Sequence, residues 1–337
     1  MNQIHIETLG CRLNQIESES TARYFIDNGF SVGMEPFTSK TEERTETLLA
    51  VINTCTVTQK AEQKARRIIR LLLNKCPYAL VIVTGCYAQV SKEEIQKIDK
   101  RICVMGGQIK SRLSQIPILL KEYLREKNWE YEGFKSVLLE KISSPEPEKI
   151  GFPERSFTLS TSSFLSHSRA SLKIQDGCNS NCSYCAIHIA RGHSVSIDVN
   201  TALQRVQELE KKGQNEVVIT TVNISQYKSE YNGRIINFSG LLKILLENTQ
   251  TINFRISSLY PQIVDEEFCK IVKHSRVCPH FHISVQSGSN NILTAMNRQY
   301  EAQAVIDACN NLRKVKDNPF IACDIITGFP GETKEDF

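Results

Sequence analysis

The 337-residue chain has an ordinary globular composition and is long enough for two domains, each burying its own core. Its formal charge of +4 is too small to mark a nucleic-acid binder by itself, so any phosphate contact has to come from a local patch. Twelve cysteines without a secretory leader at residues 1–5 exclude a disulfide scaffold and place the chain in the reducing cytoplasm, and no apolar run is long enough to span a bilayer, so no membrane is expected.

In chain order, the first half alternates strand-like and helix-like stretches, which predicts an α/β fold with a mostly parallel sheet over residues 1–127. Strands are expected at 4–8, 48–52, 80–83 and 102–105, and helices at 15–28, 57–75, 92–98 and 109–127. Ser91 followed by Glu94 reads as a capping box for the third helix. Cys11, Cys55 and Cys86 each follow an apolar strand by one to three residues. Parallel strands bring such ends to one edge, so the three thiols are expected to converge where open α/β sheets bind ligands. Three independent core cysteines are the plainer alternative; the threefold repetition of one placement weighs against it.

The second helix gathers Lys60, Lys64, Arg66, Arg67, Arg70 and Lys75 against a single acid, Glu62, with Ala65, Ile68, Ile69, Leu72 and Leu73 on its other face. Taken alone, that is a solvated surface. Beside Cys55, one of the three converging thiols, it becomes a candidate contact for nucleic-acid phosphates, with Lys60, Lys64, Arg67 and Arg70 as the candidates.

Between about 126 and 168 the periodicity fails. Pro145, Pro147 and Pro153, with the serine and threonine cluster at 156–168, make residues 128–168 an expected linker. From 169 to 337 the alternation resumes, with strands expected at 171–175, 216–221, 251–256, 280–285 and 320–326 and helices near 200–212, 239–247, 264–273, 290–296 and 302–316. Repeated β/α steps of this length build a closed or partly closed barrel with its chemistry at the C-terminal strand ends. Cys76, Cys103, Cys269, Cys278, Cys309 and Cys323 fall in apolar contexts and read as core. His280 and His282 alternate with apolar neighbours and read as packed or hydrogen-bonded.

The most informative stretch is Gln175-Asp176-Gly177-Cys178-Asn179-Ser180-Asn181-Cys182-Ser183-Tyr184-Cys185, with cysteines spaced C-x3-C-x2-C. Three thiolates this close can hold three irons of a [4Fe-4S] cube and leave the fourth open to a substrate, whereas a closed zinc site wants four protein ligands. Zinc with His188 as fourth ligand, or buried free cysteines, stay open as alternatives. The spacing is uncommon for zinc, and Tyr184 before the last cysteine suits adenine stacking, which favours the cluster.

That loop resembles the radical S-adenosylmethionine (SAM) superfamily, and the wider sequence is similar to its methylthiotransferase family. The resemblance is carried by Leu9-Gly10-Cys11-Arg12-Leu13-Asn14-Gln15-Ile16-Glu17-Ser18, Asn53-Thr54-Cys55-Thr56-Val57, Thr84-Gly85-Cys86-Tyr87-Ala88-Gln89 and Ile174-Gln175-Asp176-Gly177-Cys178-Asn179. It continues through Pro279-His280-Phe281-His282-Ile283-Ser284-Val285-Gln286-Ser287-Gly288-Ser289 and Asp324-Ile325-Ile326-Thr327-Gly328-Phe329-Pro330-Gly331-Glu332-Thr333, and so covers nearly the whole chain. The opening stretch and Cys278-Pro279-His280-Phe281-His282 look most like the branch that modifies threonylcarbamoyladenosine in tRNA. The chain departs from the family pattern at Val195 and Ile197, where arginines are expected, at Tyr260, where glutamate is common, and at Thr220-Thr221-Val222-Asn223, which lacks a glycine.

The resemblance implies that residues 169–337 form a radical SAM (β/α) barrel, incomplete here, with a C-terminal RNA-binding domain lying outside these residues. It implies two [4Fe-4S] clusters. One, on Cys178, Cys182 and Cys185, would bind S-adenosyl-L-methionine and cleave it to a 5′-deoxyadenosyl radical. The other, on Cys11, Cys55 and Cys86, would supply methylated sulfur to carbon 2 of the adenine. Tyr184, Asn223, Ser257, Gln286 and Ser287 are the expected SAM contacts, with turn or cap roles as common for such polar residues past strand ends. Gly328-Phe329-Pro330-Gly331 is expected to shape a tight loop. The implied partners are tRNA and an electron donor such as flavodoxin or ferredoxin, with the chain a monomer. The alternatives are the isopentenyladenosine-tRNA branch, the ribosomal-protein branch, and a truncated homologue that binds clusters or RNA without turnover.

Overall fold

The structure, a computed structural model, describes residues 3–142, 157–166 and 168–337. Pro145, Pro147 and Pro153 of the expected linker lie outside the described residues. The chain divides into two compact units, Met1–Ser166 with Ile189–Gly192, and His167–His188 with His193–Phe337.

In the first unit, β1 (Gln3–Thr8), β2 (Ser31–Gly33), β3 (Thr47–Thr54), β4 (Leu80–Gly85) and β5 (Ile102–Gly106) form one parallel sheet in the order β2-β1-β3-β4-β5. The central β3 is buried along all eight residues, as a parallel strand covered on both faces requires. Alternate side chains serve opposite layers. Ile4, Ile6, Val51 and Ile82 pack with Ala22 and Phe25 of α1 (Arg12–Asp27), whereas Ala50, Ile52, Val81 and Val83 pack with Ala65, Ile69 and Leu72 of α2 (Gln59–Lys75). The strand order reverses between β1 and β3, the switch point at which open sheets of this kind bind ligands.

Several local expectations need correction. β2, short and partly exposed, has no apolar run to announce it. A short helix, α3 (Cys86–Val90), precedes α4 (Lys92–Gln96), and no capping box forms at Ser91. The Ser91 N–H is already bound to the Tyr87 carbonyl at 2.9 Å, where it closes α3, and Glu94 accepts from Arg66 Nη1 at 3.0 Å instead. The helix expected at 109–127 is a 3₁₀ segment, Gly107–Gln115, followed by α5 (Ile116–Glu126), because Pro117 has no N–H to donate and suits only a first turn. The expected linker contains α6 (Tyr131–Ile142), whose Phe134 and Leu138 are buried in the same core as Leu120 and Tyr123.

The second unit contains β6 (Ala170–Lys173), β7 (Gln175–Asp176), β8 (Val195–Ser196), β9 (Glu216–Thr220), β12 (Asn253–Ile256), β13 (Ser258–Leu259), β14 (His280–Gln286) and β15 (Phe320–Ile325), with the hairpin β10 (Ser229–Tyr231) and β11 (Arg234–Ile236). Parallel pairing runs β6-β9-β12 and β13-β14-β15. β12 and β13 are one run of chain interrupted at Ser257, whose N–H bonds the Ile219 carbonyl at 3.1 Å. The two ladders therefore follow one another as successive strands of an open (β/α) barrel section, in sequence order. The short α7 (Ile187–Arg191) has its residues from Ile189 onward in the first unit; the connecting helices of the second are α8 (Val199–Lys211), α9 (Phe238–Glu247), α10 (Glu266–Val272), α11 (Asn290–Ala295) and α12 (Ala302–Val315).

The strand expected from 251 begins at Asn253 because Glu210 Oε1 takes the N–H groups of Gln250, Thr251 and Ile252 at 2.9, 2.6 and 3.0 Å before the ladder starts. The unexpected hairpin turns on Asn232 and Gly233, both at positive φ, the Asn-Gly pair that a tight hairpin favours. Cys76, Cys103 and Cys269 are buried, whereas Cys278 and Cys309 are half-buried and Cys323, on the edge strand β15, is exposed. His280 stacks on Phe320, and His282 lies between Ser258 Oγ (3.0 Å) and Asp324 Oδ2 (3.3 Å). Among the described residues no helix is long and apolar enough to cross a membrane.

Candidate functional site

In the second unit the C-x3-C-x2-C loop follows β7 and is fastened at both ends. Gln175 is fully buried and spends its whole amide on this. Its Nε2 donates to the carbonyls of Asp176 (3.0 Å) and Gly177 (2.7 Å) and to Ser194 Oγ (2.8 Å), while Oε1 accepts from the N–H groups of Val222 (3.0 Å) and Asn223 (2.9 Å). Gly177, at φ 70°, makes the entry turn that a side chain would strain. Asp176 receives the Gly177 N–H at 2.9 Å and pairs with buried Lys173 at 2.8 Å. Farther along, the Ser183 N–H reaches the Met296 carbonyl at 3.2 Å and Ser183 Oγ the Ala295 carbonyl at 2.9 Å. Asn297 Nδ2 donates to the Asn181 carbonyl at 2.7 Å.

Each sulfur of this loop has a polar neighbour. Cys178 Sγ accepts from the Ser180 N–H at 3.4 Å and faces Asn223 Nδ2 at 3.8 Å. Buried Cys182 accepts from Arg298 Nη1 at 3.4 Å. Burial pushes the Cys185 thiol up; the Ile187 N–H opposes this, and Cys182 and Cys178 add to it.

Sequence reasoning missed Arg298. It lies in the short loop between α11 and α12, and only the tertiary fold brings it to the cysteines. Its Nη1 also donates to Tyr260 Oη at 2.9 Å, and its Nε and Nη2 donate to Tyr300 Oη at 3.0 and 2.9 Å. The guanidinium carbon stands 4.5 Å from the Tyr260 ring centroid and 4.9 Å from that of Tyr300, within cation–π range. Burial pushes the Tyr260 phenol up to about 12 against the pull of Arg298, so it stays neutral at ordinary pH.

The expected SAM contacts divide. Tyr184 keeps 39% of its surface exposed. Asn223 sits at Cys178 and also caps the 3₁₀ turn Ile224–Gln226, accepting from the Ser225 N–H at 3.1 Å. Ser257 marks the β12/β13 break, and its buried Oγ finds no hydrogen-bond partner among the described residues. Gln286, at φ 66°, ends β14 where the register with β15 shifts. Ser287 is buried and its Oγ accepts the Ser289 N–H at 3.2 Å, a turn role. Gly328 and Gly331 both have positive φ, and the Phe329 carbonyl accepts the Glu332 N–H at 2.9 Å, which closes that loop.

In the first unit, Cys11, Cys55 and Cys86 leave the C-terminal ends of β1, β3 and β4, three neighbouring strands. Cys55 and Cys86 directly follow the last registered pair, Thr54 and Gly85. Asn14 joins two of these exits, its Nδ2 donating to the carbonyls of Leu9 (2.9 Å) and Thr54 (3.1 Å). Gly10, at φ 113°, is equally confined, since a Cβ there would stand 2.6 Å from Cys55 Cβ. Cys55 and Cys86 are buried and Cys11 is exposed. Burial pushes the Cys55 thiol up; the Val57 N–H opposes, Cys11 and Cys86 push the same way as burial, and Arg191 opposes.

Arg191 belongs to this unit and donates through Nη2 to Asn14 Oδ1 at 2.7 Å. Its Nη1 lies 3.3 Å from Glu17 Oε1, which also pairs with Lys110 Nζ at 2.6 Å. One buried carboxylate thus faces two cations, and of these Arg191 opposes the rise of the Cys55 thiol. Lys60, Lys64, Arg67 and Arg70 are exposed on α2, opposite buried Ala65, Ile68, Ile69, Leu72 and Leu73.

Among the described residues no group of three or more His, Cys, Asp or Glu is disposed to hold a single metal ion. Buried His188 Nδ1 has no hydrogen-bond partner, but His188 completes no such group. Both cysteine triads are all-sulfur sets, with N–H donors at Cys178, Cys182, Cys185 and Cys55, the donor chemistry that iron–sulfur cubes use, and a cube spreads its cysteines more widely than a lone ion does.

Residues 172–337 match the Radical SAM superfamily, and residues 3–107 match the description Uncharacterized protein family UPF0004. The chain is 42% identical to the threonylcarbamoyladenosine tRNA methylthiotransferase MtaB of Treponema pallidum, an alignment covering all of this chain and 76% of that protein. It is 34% identical to the MtaB of Aquifex aeolicus, covering 99% of this chain and 75% of that one. Its fold is similar to the radical SAM methyltransferase TsrM from Kitasatospora setae, with a TM-score of 0.63 at 12% identity, covering all of this chain and 71% of that one.

Proposed function

The chain belongs to the MtaB family of threonylcarbamoyladenosine tRNA methylthiotransferases, and on that premise we propose that it transfers a methylthio group to carbon 2 of N6-threonylcarbamoyladenosine in tRNA. It is a radical SAM enzyme that uses SAM and a [4Fe-4S] cluster. The observation that supports the fuller reading is the sorting of six cysteines into two sets, Cys11, Cys55 and Cys86 just past the C-terminal ends of three neighbouring parallel strands, and Cys178, Cys182 and Cys185 in the one loop that follows β7, a strand paired antiparallel with β8. Cys178, Cys182 and Cys185 would hold the SAM-binding cluster, and Cys11, Cys55 and Cys86 a second, sulfur-supplying one.

When bound, the first cluster and SAM supply the radical chemistry that activates an unreactive C–H bond. The chain's own residues set the stage for it. Gln175 and Ser183 fix the loop, Asn223 and Arg298 supply N–H groups to its sulfurs, and Tyr184 offers a ring face for the adenine of SAM. Ser257, Gln286 and Ser287 stand at the same strand ends as further SAM contacts. Gly10, Gly85 and Asn14 let the other three cysteines emerge side by side. The exposed cations of α2 would meet tRNA phosphates while the target adenine is splayed out of its loop.

The division of labour we propose gives residues 1–127 the second cluster, 128–168 a connecting role and 169–337 the radical chemistry. We also propose a cytoplasmic monomer reduced by a flavodoxin or ferredoxin. Mass spectrometry of nucleosides from a strain lacking its own enzyme tests the activity. Expression of this chain, or of the chain extended by the C-terminal RNA-binding segment of a relative, should produce 2-methylthio-N6-threonylcarbamoyladenosine. The isopentenyl derivative alone, or no methylthio nucleoside from either form, would overturn the reading.

A further inference from the structure

We infer that Arg298 is a positioning residue for the Cys178–Cys182–Cys185 cluster: it holds Cys182 by an N–H···S hydrogen bond and keeps an unneutralised positive charge at that sulfur, so that the cluster accepts an electron more readily. The inference rests on the function proposed above. Its geometric basis is the 3.4 Å contact from Nη1 to Cys182 Sγ and a cage made of phenols, with Tyr260 on Nη1 and Tyr300 on Nε and Nη2. Tyr300 is itself fixed, donating to the backbone carbonyls of Ser284 and Val285. Tyr260 and Tyr300 meet edge to face, so each ring braces the other.

Among the described residues no carboxylate forms an ion pair with Arg298. That matters because arginine cannot shed its proton, so the charge persists at every working pH. Thiolate-held clusters become more negative on reduction, and hydrogen bonds to sulfur and nearby positive charge both favour the reduced form. A carboxylate in place of Tyr260 would cancel the charge and leave the guanidinium in place. The tyrosine at this position therefore sets the electrostatics as well as the packing.

The test is an anaerobic redox titration of the reconstituted 337-residue chain. Dithionite supplies one electron to the oxidised cluster, and electron paramagnetic resonance reads the reduced signal that responds to added SAM. At a fixed poise, Tyr260→Glu should lower the reduced-to-oxidised ratio about tenfold, which for a one-electron couple is about 59 mV. Arg298→Met should do at least as much, Arg298→Lys less, and Tyr260→Phe should change the ratio less than about threefold. A merely structural role for Arg298 predicts altered iron content with unmoved potentials. If Tyr260→Glu and Arg298→Met both stay within about threefold of wild type, the inference is wrong. If Arg298→Met does not load iron, the contrast between Tyr260→Glu and Tyr260→Phe decides. Absence of any SAM-responsive signal in the wild type would overturn the function reading, and this inference with it; a SAM-responsive signal with unmoved potentials overturns this inference alone.

Discussion

Gly85 lies so close to Thr54 that a Cβ on it would run into the Thr54 carbonyl oxygen and stand 2.6 Å from the Thr54 nitrogen. Its φ of 95° excludes ordinary side chains as well. These two residues are the last pair in register between β3 and β4, and a cysteine follows each. Gly85→Ala should therefore cost about 3 kcal/mol or more in stability. It should also displace Cys86, so iron content should fall in the variant fraction that stays folded. Thermal unfolding and iron analysis measure the two effects, and an unchanged melting temperature would show that the strand ends have room that the structure denies them.

The two cysteine triads should be separable in solution. Anaerobically reconstituted protein should hold about eight irons, the sum of two [4Fe-4S] cubes, and alanine at Cys178, Cys182 and Cys185 should halve that number. Cys182→Ala should abolish SAM cleavage. Cys55→Ala should still yield 5′-deoxyadenosine on reduction but transfer no methylthio group. Equal loss of SAM cleavage in both single variants would remove the case for two separate roles.

Tyr184 and Arg298 mark how far the site can be read without a fold. The C-x3-C-x2-C spacing is local and visible in the residue string, and so is the placement of Cys11, Cys55 and Cys86 just past apolar runs. The α/β pattern follows from the same local periodicity. Arg298 is different, since its meaning depends on Tyr260, Tyr300 and Cys182, which only the fold gathers. α6 was hidden because an apolar Phe134 and Leu138 surrounded by polar residues give too weak a period, and packing against Leu120 and Tyr123 makes up the difference. The hairpin at Asn232-Gly233 was legible in principle, its turn pair being one of the stronger short-range signals.

The basic face of α2 predicts salt-dependent RNA binding. Alanine at Lys60, Lys64, Arg67 and Arg70 should weaken tRNA binding. It should also flatten the plot of log affinity against log salt by about 0.7 to 0.9 for each phosphate that the variant no longer neutralises. Filter binding across a salt series measures both quantities. An unchanged slope would mean that this face points to solvent and nothing more.

Acid stability should depend on Glu210. Its burial disfavours ionisation, yet the N–H groups of Thr251, Ile252 and Gln250 outweigh this and hold the carboxyl at about 2, below the ordinary 4.5. A depressed folded-state value means that the contribution is complete above the ordinary value and lost as pH falls toward the folded one. Glu210→Ala should therefore lower the melting temperature at pH 7, and the gap to wild type should close between pH 4.5 and about 2. A gap that is constant over that interval would assign the loss to packing.

The amide of Gln175 is committed at both ends to protein atoms, and Ser183 and Asn297 secure the far side of the same loop. The course of the loop therefore does not hang on its three sulfurs alone: Gln175→Leu would unfasten it from Ser194, Val222 and Asn223 while leaving every cysteine in the sequence, which separates the shape of the loop from its chemistry.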